Sequence, residues 1–174
     1  MNLDEIIEEF RLCNYNHFNE FYNETKKNVF FTIAAIIKDR DAIDDLMQDT
    51  YIKFLENISK YQAKMKINAY LSTIAHNIAI NYYNREKKLV HSEEIIDYIP
   101  NEEKNKKDDS SIEVLELLKD LDDMSKEIVI LHTINDLKFK DISKIVNKPL
   151  GTVLWIYNKA IKELRKKAGV ADEG

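Results

Sequence analysis

The side chains best suited to bind a nucleic acid lie near the C-terminal end of the sequence. Hydroxyl and amide groups can hydrogen-bond to base edges, and lysines can hold phosphates. Three roles are open for Trp155: contact with thymine methyl groups, packing in a domain core, or binding of a partner protein. The side chains that fall away from the apolar stripe of the second helix predicted there are Leu154, Trp155, Asn158, Lys159 and Lys162.

A helix-turn-helix would place these side chains on one exposed face. Residues 136–146 form an amphipathic pattern with the isoleucines on one side. Asn147 follows, and asparagine readily adopts the left-handed conformation of a tight turn. Pro149 suits the start of a second helix, which we expect over 150–167. The second helix of such a pair commonly enters the DNA major groove, although two helices packed in a core would show the same pattern.

A second candidate for nucleic-acid binding is the helix predicted over residues 68–88, which ends in basic residues. Aromatic rings that stack on bases, together with lysines that follow phosphates, suit a single strand. Core packing is the alternative for Tyr82 and Tyr83. We expect an apolar stripe through Leu71, Ile74, Ala75, Ile78 and Tyr82, with Ser72, His76, Asn77, Asn81, Asn84 and Arg85 largely on other faces.

The remaining pattern is helical as well. A helix with an acidic start is predicted from about residue 41, and its apolar stripe includes Leu46 and Phe54. Taken alone, its acids fit an ordinary capped and solvated helix start. Further apolar stripes at helical spacing occur before this helix in the chain and just before the helix-turn-helix. The three glycines and two prolines among 174 residues fit an all-α fold.

Composition limits the function classes. We expect a cytoplasmic protein, because no apolar run approaches the roughly 20 residues of a membrane span and the N-terminus is acidic. Cys13 is the sole cysteine, which excludes an internal disulfide, and we expect it to be buried as a small hydrophobe. No paired carboxylates, nucleophile and base, phosphate loop or metal-ligand set emerges, so we expect no enzyme, cofactor or metal site.

Charge divides the chain into blocks. The net charge is −5, but residues 64–92 and 124–174 each carry +4, whereas 93–123 carry −8. The local patch decides phosphate binding, so the total does not exclude DNA. We predict a flexible acidic linker over 92–111, because such a polar stretch buries too little to order itself. It would join domains at 1–91 and 112–174.

Three segments in this order resemble the sigma-70 superfamily, specifically the extracytoplasmic-function (ECF, group 4) RNA polymerase sigma factors. Residues 42–51 are similar to the acidic-acidic-Leu-x-Gln-acidic signature of region 2.2. Residues 70–85 are similar to the promoter-melting segment of regions 2.3 and 2.4, and residues 149–153 to the helix-turn-helix of region 4.2. The resemblance covers about residues 10–167 and implies an all-α fold with a region 2 bundle and a region 4 bundle.

The resemblance also implies a transcription initiation factor that binds core RNA polymerase and promoter DNA. Region 2.2 would dock on the clamp of the largest polymerase subunit, and region 4 on the flap of the second largest. Anti-sigma factors are common partners in this family. The residues implied in clamp docking are Asp44, Asp45, Leu46, Gln48, Asp49 and Phe54.

Two promoter elements would be recognised. The chain would melt the −10 element and hold it, with Asn77 as the base contact. The residues implied in this site are Lys64, Lys66, Tyr70, Asn77, Asn81, Arg85, Lys87 and Lys88. The −35 element would be read as duplex by Thr152, Trp155, Asn158, Lys159 and Lys162. The sequence departs from the family pattern at Tyr70, Asn81 and Asn84, where Trp, Asp and Arg are usual, and at 154–156, where Leu-Trp-Ile replaces a Lys-Ser-Arg-like run.

Two other classes of protein remain open. A helix-turn-helix regulator acting without polymerase would bind duplex DNA tightly on its own. A helical adaptor protein would show no salt-sensitive DNA binding at all.

Overall fold

The computed structural model describes residues 1–89 and 109–169, and all regular elements in these ranges are helical. The predicted all-α class is therefore confirmed. No helix within these ranges has both the length and the apolar character needed to cross a membrane. The helices are α1 (Leu3–Arg11), α2 (Phe18–Ala34), α3 (Arg40–Glu56), α4 (Ile67–Leu89), α5 (Asp109–Leu118), α6 (Asp123–Thr133), α7 (Phe139–Val146) and α8 (Leu150–Lys167), with a 3₁₀ turn at Ile58–Lys60.

Two predicted boundaries are wrong. Helix α5 begins at Asp109, so residues 109–111 of the predicted linker are helical, while 92–108 lie outside the described residues. Helix α7 begins at Phe139 instead of residue 136. Asp136 adopts a left-handed φ of 55° and turns the chain, and Leu137 is then buried before the helix can start. The left-handed turn predicted at Asn147 is confirmed, with φ 55° and ψ 50°.

Helices α1 to α4 pack around aromatic side chains. The rings of Phe21 and Phe54 stack with 5.3 Å between centroids, and Phe10 meets Phe21 edge-on at 5.3 Å. All three side chains are at most 1% exposed. Each such burial contributes about 1.5–3 kcal/mol, with a further increment from the ring contacts. This core holds α3 and α4 side by side and turns their polar faces outward.

Tyr51 places a titratable group inside this core. The side chain is 4% exposed, and its hydroxyl hydrogen-bonds to that of Thr25 at 2.8 Å. Burial raises the pKa of Tyr51 to about 12, because desolvation of the phenolate outweighs the hydrogen bond from Thr25. The folded state therefore resists ionisation of this phenol.

Alkaline pH should unfold the chain partly through Tyr51. A pKa raised above the ordinary 10 gives a stabilisation that is complete below about pH 10 and is lost as the pH rises through about 12. The expected loss is about 2 kcal/mol of unfolding free energy. Tyr51→Phe cannot ionise and should lack this part of the decline. Urea titrations at pH 9 and pH 12 measure it, and parallel profiles for the two chains would contradict the assignment.

Helices α6 to α8 form the helix-turn-helix bundle. Asp122 caps α6 by accepting a hydrogen bond from the Ser125 N–H at 2.8 Å. The imidazole of His132 stacks on Phe139 with 4.0 Å between centroids and meets the edge of Tyr157 at 4.9 Å. The apolar centre of the bundle comprises Ile128, Leu131, Leu137, Ile142, Ile145, Val146 and Val153.

The two halves of the chain pack against each other through an apolar cluster. Phe31 and Ala35 of the N-terminal half are 1% and 3% exposed. They belong to one buried cluster with side chains of α5, α6, the α5–α6 turn and α8, namely Leu118, Leu121, Val129, Ile130 and Ala160. The halves therefore share a core in this conformation.

A polar contact continues this interface. Asn135, which is 1% exposed, places its amide nitrogen 2.8 Å from the Thr32 hydroxyl and 3.0 Å from the Ser72 hydroxyl. His76 of α4 hydrogen-bonds to Glu127 of α6, and both side chains are buried. Ser72 and His76 were predicted to lie off the apolar stripe of α4, and the face that carries them is buried as well, because the C-terminal half covers that side of α4.

Cys13 departs from the sequence-based expectation. The predicted buried thiol is exposed. Cys13 follows the end of α1 with a left-handed φ of 60°, at the point where the chain turns toward α2. The thiol projects from this turn because the turn lies outside the packed core.

Candidate functional site

The outer face of α3 is lined by exposed polar side chains. Asp39 caps the helix by accepting a hydrogen bond from the Asp41 N–H at 3.0 Å, which fixes where α3 begins. The helix then buries one side in the N-terminal core. The opposite side presents a ridge formed by Asp44, Asp45, Gln48 and Asp49, all exposed. We call these four residues the acidic ridge.

Two residues predicted to dock a partner do not belong to the acidic ridge. Leu46 is 3% exposed and Phe54 is fully buried, so the prediction of direct contact is wrong for both in this conformation. Their positions follow the apolar stripe of α3, which must face the core to bury its area. These two side chains hold α3 in place beneath the ridge.

An apolar groove runs along one side of the acidic ridge. It encloses about 450 Å³ between α2 and α3, with Asp44 and Gln48 on its rim. Ile52, which is 55% exposed, and Tyr22 form part of its lining. Sequence reasoning missed both, although Ile52 falls one turn after Gln48 within the polar face and is the apolar exception there. The groove offers an apolar centre with Asp44 and Gln48 on its rim.

A second groove lies on the other side of the ridge, between α3 and α4. It encloses about 540 Å³ and brings Asp49 together with Asn81 and Arg85. Asp49 was predicted to meet a protein, and Asn81 and Arg85 to meet DNA. The fold therefore makes these two predicted sites neighbours. The groove is also lined by Leu46, Ile78 and Asn84.

The exposed face of α4 is polar and basic. Asn77, Asn81 and Arg85 are exposed and follow one another at intervals of four residues, so they form one row. The Lys87 ammonium lies 6.0 Å from the ring centroid of Tyr83, which is 40% exposed. Lys88 belongs to α4, but its side chain lies outside the described residues.

Tyr70 lies at the start of α4 beside this row. Its ring centroid is 5.3 Å from that of Tyr61 and 6.1 Å from that of Phe54. Burial raises the pKa of Tyr70, so the hydroxyl stays protonated at neutral pH. Tyr70 therefore connects the aromatic core to the predicted nucleic-acid face.

A basic groove lies between the N-terminal end of α4 and the helix-turn-helix. It encloses about 620 Å³, and Lys64 and Lys66 lie on the α4 side. Three lysines of the other half, Lys138, Lys140 and Lys144, line the opposite wall together with Asp141. Five ammonium groups and one carboxylate favour an anionic occupant.

The second helix of the helix-turn-helix is anchored by small and branched side chains. Val153 is fully buried and Ala160 is 1% exposed, which turns the other side of α8 to solvent. Trp155 is 63% exposed, so the structure excludes a core role for it in this conformation. The Lys159 ammonium lies 5.2 Å from the Trp155 ring. The predicted set is therefore brought together on one exposed face: Thr152, Trp155, Asn158, Lys159 and Lys162.

Comparisons with known sequences agree with this geometry. The sequence profile described as Sigma-70 region 2 matches residues 21–89. The RNA polymerase sigma factor YlaC of Bacillus subtilis (strain 168) is 29% identical over 157 residues, which cover 86% of this chain and 88% of YlaC. The ECF RNA polymerase sigma factor SigM of the same organism is 26% identical over 163 residues, which cover 89% of this chain and 98% of SigM.

Solved structures share the fold. The sigma factor RpoE from Bartonella quintana, in complex with the anti-sigma factor NepR, superposes with a TM-score of 0.65 at 18% identity and covers 89% of this chain and 98% of its own. CnrH, in complex with the cytosolic domain of CnrY, superposes with a TM-score of 0.65 at 15% identity. The aligned region covers 94% of this chain and 95% of the CnrH chain.

Proposed function

This chain belongs to the extracytoplasmic-function group of the sigma-70 superfamily, and we propose from that membership which of its faces meet polymerase and which meet DNA. The chain is an RNA polymerase sigma factor: it binds core RNA polymerase, recognises the promoter −10 and −35 elements and promotes DNA melting. Such factors are regulatory proteins. We propose in addition that the chain has no catalytic activity of its own and acts in the cytoplasm with polymerase.

The acidic ridge is the proposed docking surface for the polymerase clamp. The ridge borders an apolar groove that includes the 55% exposed Ile52, and Asp44 and Gln48 lie on the rim of this groove. An acidic ridge beside an apolar groove suits a basic, partly apolar partner helix, since charge speeds encounter and the apolar groove supplies affinity. Residues 1–91 would thus act as region 2. The position of this ridge inside the segment that matches region 2 is the single observation that carries the proposal.

The row on α4 is the proposed −10 site. Asn77 offers both a donor and an acceptor to the edge of an unpaired base, and Arg85 with Lys87 can hold phosphates. Tyr70 and the lysines at 64 and 66 lie at the N-terminal end of the same helix, where the basic groove opens. The arrangement suits one strand of melted DNA, because it combines ring surfaces with a track of positive charge.

The exposed face of α8 is the proposed −35 site, and residues 112–174 would act as region 4, with the polymerase flap as their protein partner. A helix-turn-helix regulator acting without polymerase is less well supported, because the sequence profile matches residues 21–89, outside the helix-turn-helix. The helical adaptor is less well supported because the profile that matches residues 21–89 is that of a sigma factor region.

We also propose an anti-sigma factor as a partner. The sigma factor RpoE, which shares this fold, occurs in a complex with the anti-sigma factor NepR, and CnrH, which shares the fold as well, occurs in a complex with the cytosolic domain of CnrY. A protein of that class would compete with core polymerase for this chain. Such competition is measurable as loss of the polymerase complex when the partner is added.

Co-elution with core RNA polymerase tests the proposed function. The purified chain is mixed with core enzyme from a low-G+C bacterium and separated by size exclusion. Co-elution is the expected result. A folded chain that elutes alone and binds duplex DNA tightly without polymerase would support the plain regulator instead.

Replacing Asn77 should impair melting without impairing assembly. Asn77→Ala removes the proposed base contact from an exposed position, so polymerase binding should be unchanged while open-complex formation slows by about tenfold, equivalent to one or two hydrogen bonds. Permanganate footprinting of unpaired thymines measures the bubble. Asn23→Ala removes an exposed asparagine from α2 and serves as the control. An unchanged footprint in Asn77→Ala would remove Asn77 from the −10 site.

A further inference from the structure

The outer face of α8 combines exposed apolar side chains with polar and basic ones. Leu150 is 44%, Leu154 is 37% and Trp155 is 63% exposed. Clustered exposed apolar groups mark a binding surface more often than scattered ones do. They occupy the first two turns of the second helix, which is the part of a helix-turn-helix that meets base edges.

The helical repeat places an amide within this apolar face. Asn158 follows Leu154 by one turn and Lys162 follows Asn158 by another, so the three form a row. Trp155 lies beside this row, one turn after Gly151. A Cβ at Gly151 would meet no atom within 4 Å, so the surface is open next to the indole. The edge of a base pair can approach the α8 backbone at this position.

We propose that this face selects A·T base pairs in the −35 element, an inference that rests on the proposed function. Leu154 and Trp155 contact thymine C5-methyl groups, and Asn158 hydrogen-bonds to N6 and N7 of adenine. Only thymine carries a methyl group in the major groove, and an asparagine amide matches the donor and acceptor pair of adenine. The proposal thus names the base pairs read and the side chains that read them.

The surrounding charges favour DNA over a protein as the occupant. The exposed ammonium groups of Lys159 and Lys162 flank the face, and the first carboxylate of α8 is Glu163. Arginine, the most frequent reader of guanine, is absent from α8 before Arg165. DNA offers phosphates to the lysines, thymine methyl groups to the apolar side chains and base edges to the amide. An acidic protein helix would satisfy only the first two.

Uracil substitution tests the methyl contacts directly. Core polymerase loaded with the full chain selects binding sites from random DNA duplexes. The upstream element of the selected sites is then resynthesised with deoxyuridine for thymidine, which removes the C5-methyl group and keeps base pairing. Binding should weaken about fourfold for each contacted methyl group. The same replacement in the spacer between the two elements should change nothing.

Variants assign the contact to the named side chains. With Leu154→Ala and Trp155→Ala combined, thymine and uracil duplexes should bind alike. Leu117→Ala removes a leucine that is 62% exposed on α5, and it should keep the fourfold preference. An upstream element without A·T pairs, or a uracil effect that persists in the double variant, overturns the inference.

The remaining outcomes separate the inference from the function on which it rests. If the polymerase complex forms and melts DNA but shows no uracil effect, the inference is wrong, and the apolar face belongs to a protein partner instead. If the chain binds no core polymerase, the proposed function fails, and the inference fails with it.

Discussion

A chain carrying Asp45→Arg and Gln48→Ala should fold normally and fail to co-elute with core RNA polymerase. Both side chains are exposed on the acidic ridge, so neither replacement disturbs the core. Asp45→Arg places a cation against the basic partner proposed for this surface. Like charges facing each other in an interface cost several kcal/mol, so affinity should fall more than 100-fold.

A matched charge reversal separates position from net charge. Glu24→Arg makes the same change of two charges at an exposed position of α2 that lines none of the described grooves. It should bind core polymerase like the unaltered chain. Circular dichroism checks that both variants are folded. Undiminished binding by the folded double variant would falsify the docking assignment.

Polymerase and promoter together should move the two halves of the chain apart by tens of ångströms. Elements named −10 and −35 lie roughly 25 base pairs apart, or about 85 Å along B-DNA at 3.4 Å per base pair. A packed chain of this length has a radius of gyration of about 16 Å. It cannot reach both elements while Asn135 stays 2.8 Å from Thr32. The shared core must therefore open on the promoter.

Spin labels can measure this separation. In a Cys13→Ser background, one label is placed at Glu24 of α2 and the other at Glu116 of α5, both exposed. Pulsed electron resonance should give a short distance for the free chain and a distance longer by tens of ångströms in the promoter complex. A pair at Glu24 and Glu56, within one half, should not change. An unaltered distance between the halves would show that the packed arrangement persists on DNA.

The cost of opening also sets how tightly the free chain can bind a promoter. Only the open fraction can contact both elements, so the apparent dissociation constant rises by the inverse of that fraction. If about 1% of molecules are open, binding is about 100-fold weaker than the contacts alone would give. Core polymerase should relieve this cost by binding the separated halves.

Local patterns predicted most of the helices. The stripe of α3 and the turn at Asn147 follow from residue spacing and from the left-handed preference of asparagine, and both appear in the structure. The same stripe also explains why Leu46 and Phe54 are buried in this conformation, since for an apolar residue burial is worth more than exposure.

The packing between the halves could not be predicted from local patterns. Ser72, His76 and Asn135 are polar, and polar residues are usually exposed. They are buried here because each finds a hydrogen-bond partner on the other half. Such partners lie more than 50 residues apart in sequence, so no helical period reveals them. The proposed −10 and −35 faces were predictable, because their residues are neighbours along single helices.

The single tryptophan of the sequence lies on the proposed −35 face, with its indole 63% exposed beside Lys159. Its fluorescence, excited at wavelengths where the nine tyrosines do not absorb, therefore comes from one place in the molecule. Base pairs or a protein that covered this indole would remove water from it and alter its emission, whereas events confined to α3 would leave it unchanged. The chain thus carries an intrinsic optical reporter for the proposed upstream promoter contact, and this reporter requires no label.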